Sequence, residues 1–313
     1  MGKFYICILN LTSSMQLFVY RLVYPILWFI SKLPWRLFYA FSTGVFLLTY
    51  YVFRYRRKTV THNLELVFPN KTSQEIKKIR REFYQHMCDM FLEMIKSISI
   101  SNEEMKERFK VTNLEKLHEL EAKGENIMIL MAHYASYEWA NVIDIQTNFQ
   151  AVGVYKKIGN KYFDRLVHRI RARFGSRVIG TKEAMKVITE DQSKEGLYMY
   201  GLISDQSPKL YKATFWTNFM DIKVPVFLGA EVLSKRLGLN TYYLQVEKIK
   251  RGYYEATFVT LTEDSKNCED YSIIKSYLRL LENQIYNKPQ YYLWSHKRWK
   301  HHNASIPEGA TVD

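Results

Sequence analysis

A run of seven mostly apolar residues, 126–132, constrains the fold more than any other feature of the chain. Gly124 precedes the run, and the polar residues His133 and Ser136 follow it. An apolar run without polar alternation is typical of a strand buried on both faces of a parallel sheet. Ligands of open α/β sheets bind at the carboxyl ends of the strands. The run therefore predicts an α/β fold and indicates that His133, at such an end, is a functional residue.

Further apolar stretches repeat this pattern along the chain. They occur at residues 149–154, 197–203, 242–249 and 253–261, and helical patterns lie between most of them. The last two stretches are joined by a short turn that contains Gly252, which predicts an antiparallel hairpin. We therefore expect a mixed, largely parallel central sheet flanked by helices.

The N-terminal part of the chain is more apolar than the rest. Residues 37–53 carry no charge, and a basic cluster follows at residues 54–58. Seventeen uncharged residues are barely enough to span the hydrocarbon core of a bilayer. Residues 4–20 are also uncharged, and the many aromatic residues suit a membrane interface. A membrane anchor is the preferred interpretation, and a pair of buried helices in a soluble protein is the alternative.

The length of 313 residues is sufficient for one catalytic domain with an N-terminal appendage. We predict membrane-anchoring helices at residues 1–58 and a catalytic domain at residues 59–300. The polar residues 301–313 are expected to form a disordered tail.

The composition limits the possible partners. The net charge of +14 favours anionic partners, which include nucleic acids, acidic lipid headgroups and acidic proteins. No helix-turn-helix, RRM, KH or zinc-finger pattern accompanies this charge, so nucleic acid is not expected. The three cysteines lack the spacing of a disulfide framework or a metal site, which fits a reducing cytoplasm.

The spacing of His133 and Glu138 suggests acid–base chemistry. Ser136 is a plausible cap for a helix that begins at Tyr137, which would place His133 in the preceding loop and Glu138 in the first turn. A carboxylate on one imidazole nitrogen would fix the tautomer, so that the other nitrogen could accept a proton from a hydroxyl. The alternative is a structural histidine and a carboxylate that stabilises the helix N-terminus. Ser136 lacks the Gly-x-Ser-x-Gly pattern of a serine hydrolase.

A basic segment forms a second candidate site. Residues 156–186 contain ten Lys or Arg and only two carboxylates. Helical spacing puts Arg169 and Arg173 on one face and turns Arg171 away from it. Arginine side chains match the oxygens of phosphate, although a solvated helix face is the alternative.

Several blocks of sequence in this order resemble the late acyltransferases of lipid A biosynthesis, the LpxL/LpxM (HtrB) family of the lysophospholipid acyltransferase superfamily. The blocks accompany the His-x4-Glu motif and lie at residues 60–69, 169–175, 197–206 and 288–300. The resemblance implies transfer of a fatty acyl chain from an acyl carrier protein thioester to a hydroxyl of a Kdo-linked lipid A precursor. It implies no metal and no cofactor. It also implies the bacterial inner membrane, with membrane lipids as partners and the catalytic domain facing the cytoplasm.

The same resemblance assigns roles to individual residues. It implies that His133 and Glu138 are catalytic, and that Asp205 and an arginine of the basic segment, Arg171 or Arg173, lie in the site. His296 is expected to be structural or to contact a headgroup.

Two alternatives remain open. Residues 214–229 depart from the usual family pattern, so the acceptor could be a lysophospholipid or another glycolipid. An inactive, basic, membrane-bound interaction protein is the alternative outside enzymes.

Overall fold

The computed structural model describes residues 13–313. The strands are β1 Phe109–Val111, β2 Ile127–Met131, β3 Gln150–Tyr155, β4 Arg177–Gly180, β5 Tyr198–Ile203, β6 Phe215–Phe219, β7 Ile222–Pro225, β8 Asn240–Lys250, β9 Tyr253–Thr262 and β10 Thr311–Val312. The α-helices are α1 Ser13–Lys32, α2 Trp35–Leu47, α3 Arg57–Val67, α4 Ser73–Lys96, α5 Asn102–Arg108, α6 Leu114–Lys123, α7 Lys161–Arg171, α8 Ala184–Asp191, α9 Gly229–Leu237 and α10 Ser272–Asn287. A π-helical segment, Leu48–Val52, follows α2, and 3-10 helices cover Tyr137–Ile145, Leu210–Lys212 and Pro289–Tyr291.

Seven strands form the central sheet in the order β1-β9-β8-β2-β5-β3-β4. Neighbouring strands are parallel except for β8 and β9, which form the antiparallel hairpin expected around Gly252. The predicted mixed, largely parallel sheet is therefore confirmed. A smaller sheet has the order β10-β6-β7. Five strands of the large sheet, β2, β3, β4, β5 and β8, end at the same edge.

The apolar stretches predicted as strands are β2, β3, β5, β8 and β9 in the structure. The short strands β1, β4, β6, β7 and β10 were not predicted, because two to five residues show too little periodicity to stand out. Side chains at its first turn fix the start of helix α4. Thr72 and Glu75 form a reciprocal capping box, and the apolar stripe of the helix is buried.

Helix α1 is largely exposed, and its outer face is apolar. It is long and apolar enough to cross a membrane, and only 11% of its apolar stretch is buried. The segment Trp35–Val52 is long and apolar enough only when it is combined with Arg57–Val67, and the two segments are bent by 86° relative to each other. Residues 4–12 of the earlier uncharged stretch lie outside the described residues. Exposed apolar residues on α1, α2 and the π-helical segment include Phe18, Leu22, Ile26, Phe29, Leu37, Phe41, Leu48 and Val52, and Phe53 directly after the segment is also exposed.

Polar side chains attach α2 to α4 and to the β8–β9 turn. Ser42 donates to Asp89 at 2.6 Å, and Tyr39 donates to Glu93 at 2.9 Å. Arg251, at the β8–β9 turn, donates to both oxygens of Asp89, at 2.6 and 2.9 Å. Both carboxylates are almost fully buried. Helix α2 thus packs one face against α4 and leaves Leu37 and Phe41 exposed on the other.

The C-terminal residues are more ordered than the sequence suggests. The expected disordered tail at residues 301–313 instead forms turns and ends in β10, which pairs with β6. Lys275 donates to the Asp313 carboxylate at 2.7 Å. Backbone pairing and this ion pair provide the order that the polar composition does not reveal.

Candidate active site

A cavity of about 660 Å³ opens at the carboxyl ends of β2, β3 and β5. His133, Glu138, Arg171 and Gln206 line it together with many apolar side chains. The volume is in the usual range for ligand pockets. The position at the strand ends agrees with the sequence prediction for His133.

A sharp turn after β2 places the polar residues of the site. Ala135 has a φ of 50°, in the left-handed region that residues with a Cβ rarely adopt. Its N–H donates to the carbonyl of Tyr291 at 3.0 Å, and the residue is fully buried. The turn leads directly into the 3-10 helix Tyr137–Ile145. As a result, His133 before the turn and Glu138 after it both reach the cavity.

The imidazole of His133 contacts Asp205. Nδ1 lies 2.7 Å from Asp205 Oδ1, and the side-chain amide of Gln206 lies 3.1 Å from Nε2. Asp205 is 1% exposed. Burial alone would raise the pKa of Asp205, but the contact with His133 and, more weakly, the charge of Arg298 lower it below the ordinary value. The carboxylate therefore stays ionised at neutral pH and can hold a proton on Nδ1.

Glu138 contacts Arg171 instead of His133. The guanidinium donates two hydrogen bonds to Glu138, of 2.6 and 3.0 Å, in the bidentate geometry of a strong pair. The predicted orientation of His133 by Glu138 is thus not what the structure shows, since Asp205 occupies Nδ1. The carboxylate from the neighbouring strand reaches the imidazole because β2 and β5 are adjacent and parallel, with Met131 paired with Ile203.

The three predicted arginines have different positions. Arg171, the residue that helical spacing turned away from the other two, is the one that lines the cavity. Arg173 donates to the backbone carbonyls of Ser97 and Ile100, outside the cavity. Arg169 is exposed on α7 and does not line the cavity. The sequence of a basic segment shows that cationic side chains are present, but it does not show which of them line the cavity. Their directions depend on how α7 and the residues after it pack.

The segment after α10 holds both loops of the site. Tyr134 pairs with Tyr292 in an isolated bridge, and the N–H of Leu293 donates to the carbonyl of His133 at 3.0 Å. Arg298 is fully buried and donates to Ser207, two residues after Asp205, at 3.1 Å. The family-like block at residues 288–300 is therefore a scaffold for the His133 and Asp205 loops.

His296 is part of this scaffold. Burial lowers its pKa to about 4, so the imidazole is neutral and a weak base at physiological pH. A neutral imidazole is compatible with both expected roles, a structural residue and a headgroup contact.

Two glycines open the apolar floor of the cavity. Gly201 of β5 pairs with Ile129 on one side and with Gly153 of β3 on the other. Residues that are paired in register on parallel strands face the same side of the sheet. A Cβ at Gly153 would meet no atom within 4 Å, and one at Gly201 would meet only Met131. An open apolar groove thus crosses the central strands, bordered by Ile143, Met199, Leu244 and Phe258.

A carboxyl group lines the cavity away from His133. Asp144 accepts a hydrogen bond from Ser176, and burial raises its pKa from 3.8 to about 7. Sequence analysis missed this residue because an isolated Asp in an apolar helix lacks a recognisable spacing. Gln206 was visible only as the neighbour of Asp205.

Asp144→Asn should stabilise the protein at alkaline pH. A carboxyl whose pKa is raised on folding contributes full stability below its unfolded pKa and loses it as pH rises toward the folded value. For Asp144 this window runs from about 4 to about 7. We expect the variant to gain roughly 4 kcal/mol over wild type at pH 8 and little at pH 4. Urea denaturation at both pH values measures this, and an equal gain at both would contradict the assignment.

Comparison with known proteins places the chain. The family model described as bacterial lipid A biosynthesis acyltransferase matches residues 10–301. The chain belongs to this family. It is 21% identical over 278 residues to the lipid A biosynthesis palmitoleoyltransferase of Escherichia coli (strain K12), a match that covers 88% of this chain and 89% of that protein. It is also 21% identical over 284 residues to the lipid A biosynthesis lauroyltransferase of the same strain, covering 90% and 91%.

The family assignment confirms the resemblance stated from the sequence blocks and identifies the chain as an O-acyltransferase. His133, Asp205 and the cavity are therefore the candidate active site of a lipid A biosynthesis acyltransferase family member. Within residues 14–313, no three His, Cys, Asp or Glu side chains are grouped so that they could hold a metal ion.

Proposed function

We propose that this protein transfers a fatty acyl chain from an acyl carrier protein thioester to a hydroxyl of a Kdo-linked lipid A precursor. The observation that supports this most strongly is the His133–Asp205 pair at the mouth of an apolar cavity, in a chain of this family. An apolar groove accommodates a hydrocarbon chain, and an imidazole with an ionised partner can deprotonate a hydroxyl.

His133 acts as the general base in this proposal. Asp205 holds the proton on Nδ1, so Nε2 accepts the proton of the acceptor hydroxyl. The oxygen forms a bond to the thioester carbonyl carbon and gives a tetrahedral intermediate. The C–S bond then breaks, and the leaving sulfur takes the proton from the imidazolium. Atoms and charge balance without an enzyme-bound acyl group, and no enzyme nucleophile is required.

Glu138 and Arg171 form the charged wall of the site. Because Glu138 occupies one edge of the guanidinium, Arg171 is not free to bind phosphate through that edge. We propose that the pair keeps the site polar next to His133 and positions the acceptor headgroup. In this proposal Glu138 contributes to catalysis by holding Arg171 at the site, and it does not contact Nδ1 of His133.

Gly153→Val should shorten the acyl chains that the enzyme transfers. A Cβ at Gly153 would meet no atom within 4 Å, so the valine side chain would enter the groove. The shortened groove would then no longer accommodate a long acyl chain. Valine favours strands, so we expect the free energy of unfolding to stay within about 1 kcal/mol of wild type. Competition between donors of different length measures the preference, and short donors are the internal control. An unchanged ratio would place the acyl chain elsewhere.

The proposed location is the bacterial inner membrane, with the catalytic domain facing the cytoplasm. The exposed apolar faces of α1 and α2 suit contact with lipid, and basic residues adjoin them at Lys32, Arg54 and Arg57. Basic residues are enriched on the cytoplasmic side of membrane segments.

The acceptor remains the point at which this chain could differ from its relatives. Residues 214–229, which depart from the family pattern, form β6 and β7 and then reach the cavity through Phe227 and Gly229. A lysophospholipid or another glycolipid as acceptor is therefore the second candidate.

Mass spectrometry of lipids tests the proposal. Membrane lipids from cells with and without the protein are compared, and lipid A should gain the mass of one fatty acyl chain in its presence. A gain confined to phospholipids would favour the second candidate, and no gain in any lipid would contradict acyl transfer.

A further inference from the structure

Five exposed lysines lie in the loops at the edge of the sheet where the cavity opens, and one of them, Lys156, lines the cavity. They follow three neighbouring strands, β5, β3 and β4, whose carboxyl ends lie at one edge of the sheet. We call them the mouth lysines: Lys156, Lys157, Lys182, Lys209 and Lys212. The parallel topology therefore gathers cations from three separate parts of the sequence.

The mouth lysines outnumber the carboxylates that lie close to them. In the described part of the chain, none of the five forms an ion pair, whereas Lys186 and Lys194 nearby do. Three carboxylates lie in or against the three loops. Glu183 accepts a hydrogen bond from the N–H of Gly180, Asp164 accepts one from the N–H of Ile158, and Asp205 is buried against His133. The mouth thus presents a positive field toward solvent, which would attract an acidic partner.

Exposed apolar side chains lie among these cations. Tyr211 is 74% exposed, and the ammonium groups of Lys209 and Lys212 lie 5.6 and 6.0 Å from the centre of its ring. Met185 and Phe227, each about 40% exposed, line the cavity. Apolar contacts combined with charged residues are typical of protein interfaces in which complementary charge steers association.

We infer that the mouth lysines and Tyr211 dock an acidic carrier protein that delivers its acyl thioester into the cavity on a flexible arm. This inference rests on the proposed function and assigns the surface that recognises the donor. The carbonyl carbon of the thioester must lie beside His133 for the acceptor oxygen to attack it. The mouth is the opening of the cavity next to that residue. A membrane fits this surface less well, because α1 and α2 present a much larger exposed apolar face.

Charge reversal at two mouth lysines tests the inference. The variant Lys209→Glu with Lys212→Glu is compared with Lys123→Glu and Lys266→Glu, which makes the same charge change at the opposite edge of the sheet. Lys123 ends α6 just before β2, and Lys266 follows β9, which runs antiparallel to β8. Both control lysines are exposed.

Two measurements are made on full-length protein in detergent at low salt. Fluorescence anisotropy gives the Kd for a labelled acyl carrier protein, and turnover is measured with acyl carrier protein and with acyl-pantetheine as donors. We expect the mouth variant to weaken carrier binding and raise KM for the carrier by about 10-fold. kcat/KM for acyl-pantetheine should change less than twofold, and the effect on carrier binding should shrink at high salt.

The possible results separate the docking surface from the reaction. Equal carrier affinity of the mouth and control variants would overturn the docking inference. Equal losses with both donors, together with weaker binding to anionic vesicles, would also overturn it and assign the lysines to lipid. Wild-type protein that binds the carrier but transfers no acyl group would contradict the proposed function and leave the docking surface in place.

Discussion

The His133→Ala protein should lose acyl transfer by a factor of about 10³–10⁴. The substitution removes the only proposed acceptor for the hydroxyl proton, while the apolar cavity and the remaining contacts are retained. His133 is half-buried, and its backbone carbonyl still accepts from Leu293. Acyl transfer is measured with purified protein and by the lipid profile of cells that express the variant.

Membrane association is the control for this variant. The exposed apolar faces of α1 and α2 do not include His133, so we expect the variant to remain in the membrane fraction. A lipid profile unchanged from that of the active protein would argue that the fold serves as an inactive interaction protein. Loss of both activity and membrane association would indicate misfolding, which thermal denaturation would reveal.

Asp205→Asn should reduce kcat by about 10³–10⁴-fold with little change in KM. The amide is similar in size to the carboxylate, but it carries no charge to stabilise an imidazolium and does not select the Nδ1–H tautomer. The 2.7 Å contact between Asp205 and His133 is the basis of this expectation. Turnover of the variant is measured over a range of pH.

Stability provides a second readout for Asp205→Asn. The folded pKa of Asp205 is lowered, so its ionised form stabilises the wild-type protein above the ordinary pKa of 3.8, and that contribution is lost as pH falls through the folded pKa. The variant lacks this contribution and should be less stable than wild type at neutral pH. The difference should narrow in acid.

Glu138→Gln is the comparison that separates the two carboxylates. This change disturbs the Arg171 contact and leaves the His133–Asp205 pair in place. Normal activity of Asp205→Asn together with inactivity of Glu138→Gln would show that Glu138, and not Asp205, supports the base.

Local patterns were sufficient to predict much of this protein. The strand predicted at residues 126–132 and the hairpin around Gly252 depend on interactions between near neighbours in sequence. Periodicity and turn chemistry report these interactions directly. The same patterns placed His133 at a strand end, and the blocks of sequence around it identified the family.

The tertiary structure alone decided which groups meet in the site. His133 and Glu138 are five residues apart, yet the carboxylate at the imidazole comes from Asp205, 72 residues later. Strand order brings β2 and β5 together, and neither strand encodes that adjacency in its own residues. The packing of α7 likewise determines that Arg171, and neither Arg169 nor Arg173, lines the cavity. Contacts between distant segments depend on how all the elements pack at once, whereas strands, turns and caps form from the residues beside them.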